Sequence, residues 1–158
     1  MNTLAVAGGL VALLKVRGLT CATAESCTGG GVGSAITAVA GSSAVFAGGV
    51  ISYSNEVKRD VLGVDAQALE KFGAVSPQVA AQMADGACKL MKTDLAVSLT
   101  GIAGPDGGSE EKPVGLVWFG LATKDGVRTE KCLFCGDRAR VREQAVIHAL
   151  GMLTVAAT

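Results

Sequence analysis

The chain has 158 residues, of which 49% are hydrophobic and 4% aromatic, and its 14 basic and 14 acidic residues give a formal net charge of zero. This length suits one domain with a proper core and is short for two, so we expect a single domain over residues 1–158. The balanced charge provides no global field to attract nucleic acid or an acidic membrane surface, and we expect neither as a partner.

The cysteines and the first residues of the chain indicate the cellular compartment in which we expect the protein. Five scattered cysteines, an odd number, are unlike the disulfide framework of a small secreted domain and fit a reducing cytoplasm. The apolar run over 4–14 has its positive residue, Lys15, after the run rather than before it. It does not resemble a signal peptide and is too short to span a membrane. We therefore expect a cytoplasmic protein.

Apolar spacing, cap residues and glycines predict the elements of the first half. They are a helix over 2–16 ending at Gly18, a strand over 19–24, a glycine turn, a helix over 32–39, and a buried strand over 45–53. Gly48-Gly49 in that second strand indicates a close approach between backbones.

The second half is predicted in the same way. It contains helices over 54–61, 65–72 and 76–90, a strand over 94–100, strands over 114–123 and 127–134 joined at Asp125-Gly126, and a helix over 137–156. The helix over 76–90 would face inward with Val79, Met83, Ala87 and Leu90. The order predicts an α/β fold with three layers, in which helices flank a mixed sheet of parallel strands and a C-terminal antiparallel hairpin.

Three turns follow strands of this sheet: the glycine turn after Ser26, the turn from Tyr53 to Lys58, and the loop over 101–108. Ligands of open α/β sheets bind at the carboxyl ends of strands, so parallel strands would bring these turns into one cleft.

Ser26 is the candidate nucleophile, although by itself a hydroxyl residue such as Ser26 or Thr28 at a helix start is a cap. A catalytic serine needs a base. The single histidine, His148, lies in the middle of the last predicted helix, which argues against a Ser-His-Asp triad. A lysine with a lowered pKa is the alternative, and Lys58 is the candidate, with the Tyr53 hydroxyl to relay its proton or hold it in place. The plainer reading is a solvated lysine and a packed tyrosine.

Other constellations are weaker. Cys132 and Cys135 have no second pair with metal-ligand spacing, and Cys27 as a nucleophile has no nearby histidine, so we predict neither a metal nor a cofactor. Arg138 and Arg142 share one face of the last helix and suggest an anionic partner, with a solvated face as the alternative.

Taken together, several blocks resemble the CinA C-terminal domain family, which includes stand-alone nicotinamide-nucleotide amidases. These blocks are 23–30 (TAESCTGG), 53–58 (YSNEVK), 73–76 (GAVS), 100–108 (TGIAGPDGG), 112–115 (KPVG) and 136–138 (GDR) with Val141-Arg142. The resemblance implies hydrolysis of nicotinamide mononucleotide to nicotinic acid mononucleotide and ammonia in pyridine nucleotide salvage. It also suggests a homo-oligomer, a dimer or larger.

The family's Ser-Lys-Tyr set maps onto Ser26, Lys58 and Tyr53, which reverses the plainer readings. The helix N-terminal N–H groups near Cys27 and Thr28 would hold the oxyanion, and the loop from Thr100 to Gly108 would wrap the nucleotide. Arg142 and Arg138 would pair its phosphate. The full set expected to bind substrate is Glu25, Cys27, Thr28, Gly29, Asn55, Thr100, Gly101, Ala103, Gly104, Arg138 and Arg142. The alternatives are a nucleotide-binding or competence-linked regulatory module without turnover, and a plain oligomerisation domain.

Overall fold

A five-stranded mixed sheet runs through the middle of the molecule in the computed structural model, which describes residues 2–158. Its strands are β1 (Cys21–Glu25), β2 (Phe46–Ile51), β3 (Leu95–Gly101), β4 (Leu116–Thr123) and β5 (Gly126–Leu133). The order across the sheet is β2-β1-β3-β4-β5. Strands β2, β1 and β3 are parallel, whereas β4 and β5 continue as an antiparallel hairpin, which confirms the predicted mixed sheet.

Six helices cover the two faces of the sheet. They are α1 (Thr3–Arg17), α2 (Gly31–Thr37), α3 (Asn55–Asp60), α4 (Ala66–Phe72), α5 (Pro77–Met91) and α6 (Arg138–Ala157). One core lies between the sheet and α1, α2 and α6, and a second lies between the sheet and α5. Each fully buried Leu or Val in these layers contributes about 1.5–3 kcal/mol. Among the helices of residues 2–158, none is both long and apolar enough to cross a membrane.

Most helix starts follow the predicted cap residues. The side chains of Ser54, Asp65, Ser76 and Asp137 each accept a hydrogen bond from a backbone N–H in the first turn of α3, α4, α5 and α6. Gly18 ends α1 in the left-handed conformation (φ 67°) that glycine adopts without a steric penalty. Local capping by side chains and by glycine therefore determines where these helices begin or end.

Two packing predictions are wrong. Strand β2 is not buried, because it lies at the edge of the sheet, and 56% of Ile51 is exposed. Leu90, predicted to face inward, is 52% exposed, because Met91 packs against the core in the last turn of α5 instead.

The register of the parallel strands positions the functional site. Glu25, the last residue of β1, pairs with Ile51 of β2 on one side and with Leu99 of β3 on the other. The next residue along each chain segment is Ser26, Ser52 or Thr100, so these three lie side by side at the carboxyl edge of the sheet. The three predicted turns therefore open into one cleft.

Candidate functional site

A cleft of about 220 Å³ lies at this carboxyl edge. The residues that line it are Ser26, Cys27, Tyr53, Asn55, Lys58, Ala74, Val75, Thr100, Gly101, Ala103 and Arg138. The structure thus brings together the three candidate catalytic residues and six of the predicted binding residues. Glu25, Thr28, Gly29, Gly104 and Arg142, which were also expected to bind substrate, do not line it.

Lys58 reaches Ser26 from the last turn of α3. Its Nζ lies 3.0 Å from Ser26 Oγ, 2.7 Å from the carbonyl oxygen of Ser52 and 3.1 Å from that of Tyr53. Only 1% of Lys58 and 7% of Ser26 is exposed. The Ser26 N–H donates to the Leu99 carbonyl at 3.1 Å, which fixes the serine backbone to the neighbouring strand.

The surroundings of Lys58 favour its neutral form. Burial lowers the pKa of its ammonium group, and the nearby Cys27 thiol opposes this only in part. No carboxylate of residues 2–158 forms an ion pair with it. As an ammonium, Lys58 has three N–H donors for the oxygens of Ser26, Ser52 and Tyr53. As a neutral amine it has two donors, which the carbonyls of Ser52 and Tyr53 match, and a lone pair for the Ser26 hydroxyl, the arrangement that a general base needs.

Tyr53 contacts the lysine differently from the prediction. Its backbone carbonyl, not its hydroxyl, holds Lys58 Nζ. The side chain is 65% exposed at the mouth of the cleft, and within residues 2–158 its hydroxyl forms no hydrogen bond. Lys58 is therefore held by backbone carbonyls of the segment between β2 and α3, and the Tyr53 side chain takes no part.

The turn after Ser26 is built by Glu25. Its carboxylate accepts hydrogen bonds from the Thr28 hydroxyl at 2.6 Å and from the N–H groups of Val32 at 2.9 Å and Gly33 at 3.0 Å. The residue before α2 is Gly30, which makes no side-chain cap. The alternative in which the side chain of Ser26 or Thr28 caps this helix is thus wrong, because Glu25 accepts from the N–H groups of Val32 and Gly33.

Glu25 itself is also placed differently from the prediction. Only 2% of it is exposed, and both of its oxygens are occupied within the chain, so it does not face the cleft as a substrate ligand. The same holds for the Thr28 hydroxyl, which is used on Glu25. The Ser26 hydroxyl does not cap α2 and is therefore available as a nucleophile.

The two arginines of α6 occupy different places, one at the cleft and the other behind the turn. Arg138 lines the cleft and donates from Nη1 to the Gly104 carbonyl at 2.8 Å. Arg142 lies behind the turn, beside Gly29, and donates to the carbonyls of Cys27 at 3.0 Å and Thr28 at 3.2 Å. Of the two arginines predicted to pair an anionic group, Arg138 is thus the one that lines the cleft.

The far wall of the cleft comes from the loops after β3 and before α5. The Thr100 hydroxyl donates to the Ala74 carbonyl at 3.0 Å and ties these segments together. Sequence reasoning missed Ser52, Ala74 and Val75 as parts of the site. Ser52 acts through its carbonyl oxygen, and side-chain type gives no signal for that role.

The alternative nucleophile and base lack support. Burial raises the pKa of the Cys27 thiol to about 11, so it is protonated near neutral pH. His148 lies outside the cleft, where it hydrogen bonds to Glu130 at 2.5 Å and its ring packs 4.5 Å from that of Phe119. Within residues 2–158, no group of His, Cys, Asp and Glu side chains forms a metal-binding cluster.

Comparison with known proteins gives a consistent assignment. The model of the CinA C-terminal domain matches residues 4–156. The chain is 55% identical over 142 residues to the nicotinamide-nucleotide amidohydrolase PncC of Escherichia coli K12, covering 89% of this chain and 86% of that protein. Among solved structures, the competence/damage inducible protein CihA of Agrobacterium tumefaciens superposes with a TM-score of 0.94 at 44% identity, covering 98% and 94% of the two chains. A CinA superfamily protein of Klebsiella pneumoniae gives a TM-score of 0.95 at 36% identity, covering 99% and 98%.

Proposed function

The chain belongs to the CinA C-terminal domain family, and from that premise we propose that it hydrolyses the carboxamide of nicotinamide mononucleotide by a Ser26–Lys58 mechanism. The observation that carries the proposal is the contact of 3.0 Å between Lys58 Nζ and Ser26 Oγ at the bottom of the cleft. A serine hydroxyl is a weak nucleophile, and a buried lysine without a carboxylate partner is the kind of base that activates it.

In the first half-reaction, the neutral amine of Lys58 removes the hydroxyl proton of Ser26 as Oγ attacks the carboxamide carbon. The tetrahedral adduct collapses when its C–N bond breaks, and the ammonium of Lys58 returns the proton to the departing nitrogen. Ammonia leaves, and Ser26 carries the nicotinoyl group of the nucleotide as an ester. One base thus serves both proton transfers.

In the second half-reaction, water occupies the place of ammonia. Lys58 takes a proton from the water as its oxygen attacks the ester carbon, and the Ser26 oxygen leaves with that proton. The products are nicotinic acid mononucleotide and the free enzyme. The short route from Oγ to Nζ makes a relay through the exposed Tyr53 hydroxyl unnecessary, and Tyr53 instead borders the substrate at the mouth.

The oxyanion of the adduct is held by the backbone N–H groups of Cys27 and Thr28 in this proposal. Neither group hydrogen bonds to another residue within residues 2–158. They belong to the turn and not to helix α2, which starts at Gly31. The Gly31 N–H donates to the Thr28 carbonyl and those of Val32 and Gly33 donate to Glu25, so the proposed donors differ from the helix-terminal N–H groups expected from the sequence. Removing one such donor typically costs about 10²–10³ in kcat.

The size of the cleft limits what enters it. Its volume of about 220 Å³ is below the roughly 300–1,000 Å³ of common small-molecule sites. We infer that the nicotinamide ring occupies the cleft and that the ribose and phosphate lie across its rim. Arg138, an exposed cation that lines the cleft, pairs the phosphate, and Asn55, which is exposed and also lines it, contacts the ribose.

Chromatography of nicotinamide mononucleotide incubated with the protein tests this function. The expected result is conversion to nicotinic acid mononucleotide with one ammonia per nucleotide. Nucleotide binding by calorimetry without any product would contradict the amidase and support a regulatory module instead.

We further expect the enzyme to act in pyridine nucleotide salvage in the cytoplasm and to assemble as a homo-oligomer. All five cysteines are free thiols, as a reducing compartment requires. Light scattering of the purified protein measures the assembly, and a mass of one chain would contradict it.

A further inference from the structure

We propose that Arg142 is a positioning residue that holds the oxyanion-binding N–H groups in place, and that it does not bind the substrate phosphate. The inference rests on the proposed hydrolysis at Ser26. Arg142 lies in the second turn of α6, and the two carbonyls that it contacts are 115 and 114 positions away in sequence.

The peptide bond between Cys27 and Thr28 determines where the Thr28 N–H points. In a trans peptide, the C=O of one residue and the N–H of the next point in opposite directions. Arg142 Nε donates to the Cys27 carbonyl, so the Thr28 N–H of the same peptide points away from Arg142. Arg142 is outside the set of cleft-lining residues, whereas Ser26 and Cys27 belong to it.

The neighbouring peptides are fixed by the turn itself. The Gly29 N–H donates to the Ser26 carbonyl at 3.1 Å, which orients the Cys27 N–H away from Gly29. The Thr28 carbonyl accepts from Arg142 Nη2 at 3.2 Å and from the Gly31 N–H at 3.0 Å. Three consecutive peptides are thus locked, and Arg142 is the only side chain that holds the carbonyls of two of them within residues 2–158.

Two hydrogen bonds from one planar guanidinium leave little freedom for rotation. A lysine ammonium at the same position has a compact charge and no rigid fork, so it cannot reproduce both contacts with the same geometry. A cation on the carbonyl side of a peptide also polarises its N–H and strengthens that donor.

The positive charge of Arg142 also acts electrostatically on the groups next to Ser26. It lowers the pKa of the neighbouring Cys27 thiol, although burial outweighs it there. A negative charge that develops near Cys27, as the oxyanion does, is stabilised by the same field.

The competing role is phosphate pairing, and it makes a different kinetic prediction. A phosphate ligand contributes to binding, so its loss raises KM for the nucleotide and has no effect on a substrate without phosphate. A positioning residue acts on the transition state, so its loss lowers kcat for both substrates.

The experiment compares Arg142→Met and Arg142→Lys with wild type on nicotinamide mononucleotide and on nicotinamide riboside, which lacks the phosphate. Arg140→Met is the matched control, since Arg140 is an exposed arginine of the same helix outside the cleft. We expect kcat to fall about 10–100-fold in Arg142→Met for both substrates, somewhat less than for outright loss of a donor, with KM within about twofold. Arg142→Lys should recover only part of the rate, and Arg140→Met should match wild type.

A loss confined to KM for the mononucleotide would overturn the inference. So would an unchanged kcat in both variants, or a loss accompanied by a lower melting temperature in Arg142→Lys and Arg142→Met alike. Acylation of Ser26 by p-nitrophenyl acetate separates this inference from the proposed function. If wild type is acylated but does not deamidate the mononucleotide, the proposed substrate is wrong, and slower acylation in Arg142→Met still supports the positioning role.

Discussion

Lys58 Nζ lies 3.0 Å from Ser26 Oγ, although 32 positions separate the two residues in the chain. The contact exists because β1 and β2 are parallel neighbours whose last residues, Glu25 and Ile51, are paired. Helix α3 then folds Lys58 back over the end of β2.

The pH dependence of the reaction reports the protonation of Lys58. Only the neutral amine accepts the Ser26 proton, so kcat/KM falls about tenfold per pH unit below the pKa of Lys58 and reaches a plateau above it. Because burial lowers this pKa, the inflection of the profile lies below the ordinary lysine value of about 10.4. Stopped assays of ammonia release across pH measure it. An inflection at the ordinary value or above would contradict a buried base.

The same shift predicts that Lys58 destabilises the fold. Below the folded-state pKa the lysine is charged in both states, and the folded state carries the full cost of burying it. Between that pKa and about 10.4, the unfolded chain holds a proton that the folded chain lacks. The free energy of unfolding therefore rises with pH in this window, by at most about 1.4 kcal/mol per pH unit.

Replacement of Lys58 by Met removes this cost. Urea denaturation of Lys58→Met should give a higher free energy of unfolding than wild type at neutral pH and a flatter dependence on alkaline pH. Lys124→Met, at the tip of the β4–β5 hairpin, is the exposed control and should leave both unchanged. A less stable Lys58→Met variant would show that the buried amine is stabilising.

Glu25 is predicted to be a structural support for the catalytic turn. Glu25→Gln replaces one accepting oxygen by an NH₂ group that faces the N–H groups of α2. The mismatch should lower the free energy of unfolding by about 2–3 kcal/mol and reduce activity, because the turn that presents Ser26 loosens. Glu110→Gln in the exposed loop is the control. Full stability in Glu25→Gln would contradict the role assigned to the carboxylate.

Tyr53 distinguishes a direct proton transfer from a relayed one. The backbone carbonyl that holds Lys58 is unaffected by Tyr53→Phe, so kcat should fall by less than about tenfold. General acid–base groups typically contribute about 10²–10⁴-fold. A loss of that larger size in Tyr53→Phe, equal to the loss in Lys58→Met, would place the hydroxyl on the proton path.

The sequence predicts the cleft well because its determinants are local. Glycines, cap residues and apolar spacing locate the strand ends, and parallel strands bring those ends to one edge. The proximity of Lys58 to Ser26 then needs only one turn of helix. The predicted burial of β2 is wrong, since the small residues of Gly48-Gly49 do not distinguish an edge strand from a central one.

Other features depend on contacts between residues far apart in the chain, which a local sequence pattern cannot reveal. Glu25 replaces Ser26 or Thr28 as the cap of α2 because the turn ends at Gly30 and delays the helix. Arg142 has its acceptors 115 and 114 positions away, so only the folded chain reveals that it lies behind the turn. The family resemblance points to the Ser-Lys pair, whereas only the folded chain shows the orientation of the peptides around it.

The most direct test of the central claim is the rate of ammonia release from nicotinamide mononucleotide by Ser26→Ala relative to wild type. Ser26→Ala removes the attacking oxygen and leaves Lys58 held by the carbonyls of Ser52 and Tyr53. We predict that wild type turns over and that Ser26→Ala loses at least about 10³-fold in kcat, with nucleotide binding and melting temperature retained. Undiminished release by a folded Ser26→Ala enzyme would contradict nucleophilic catalysis by this serine.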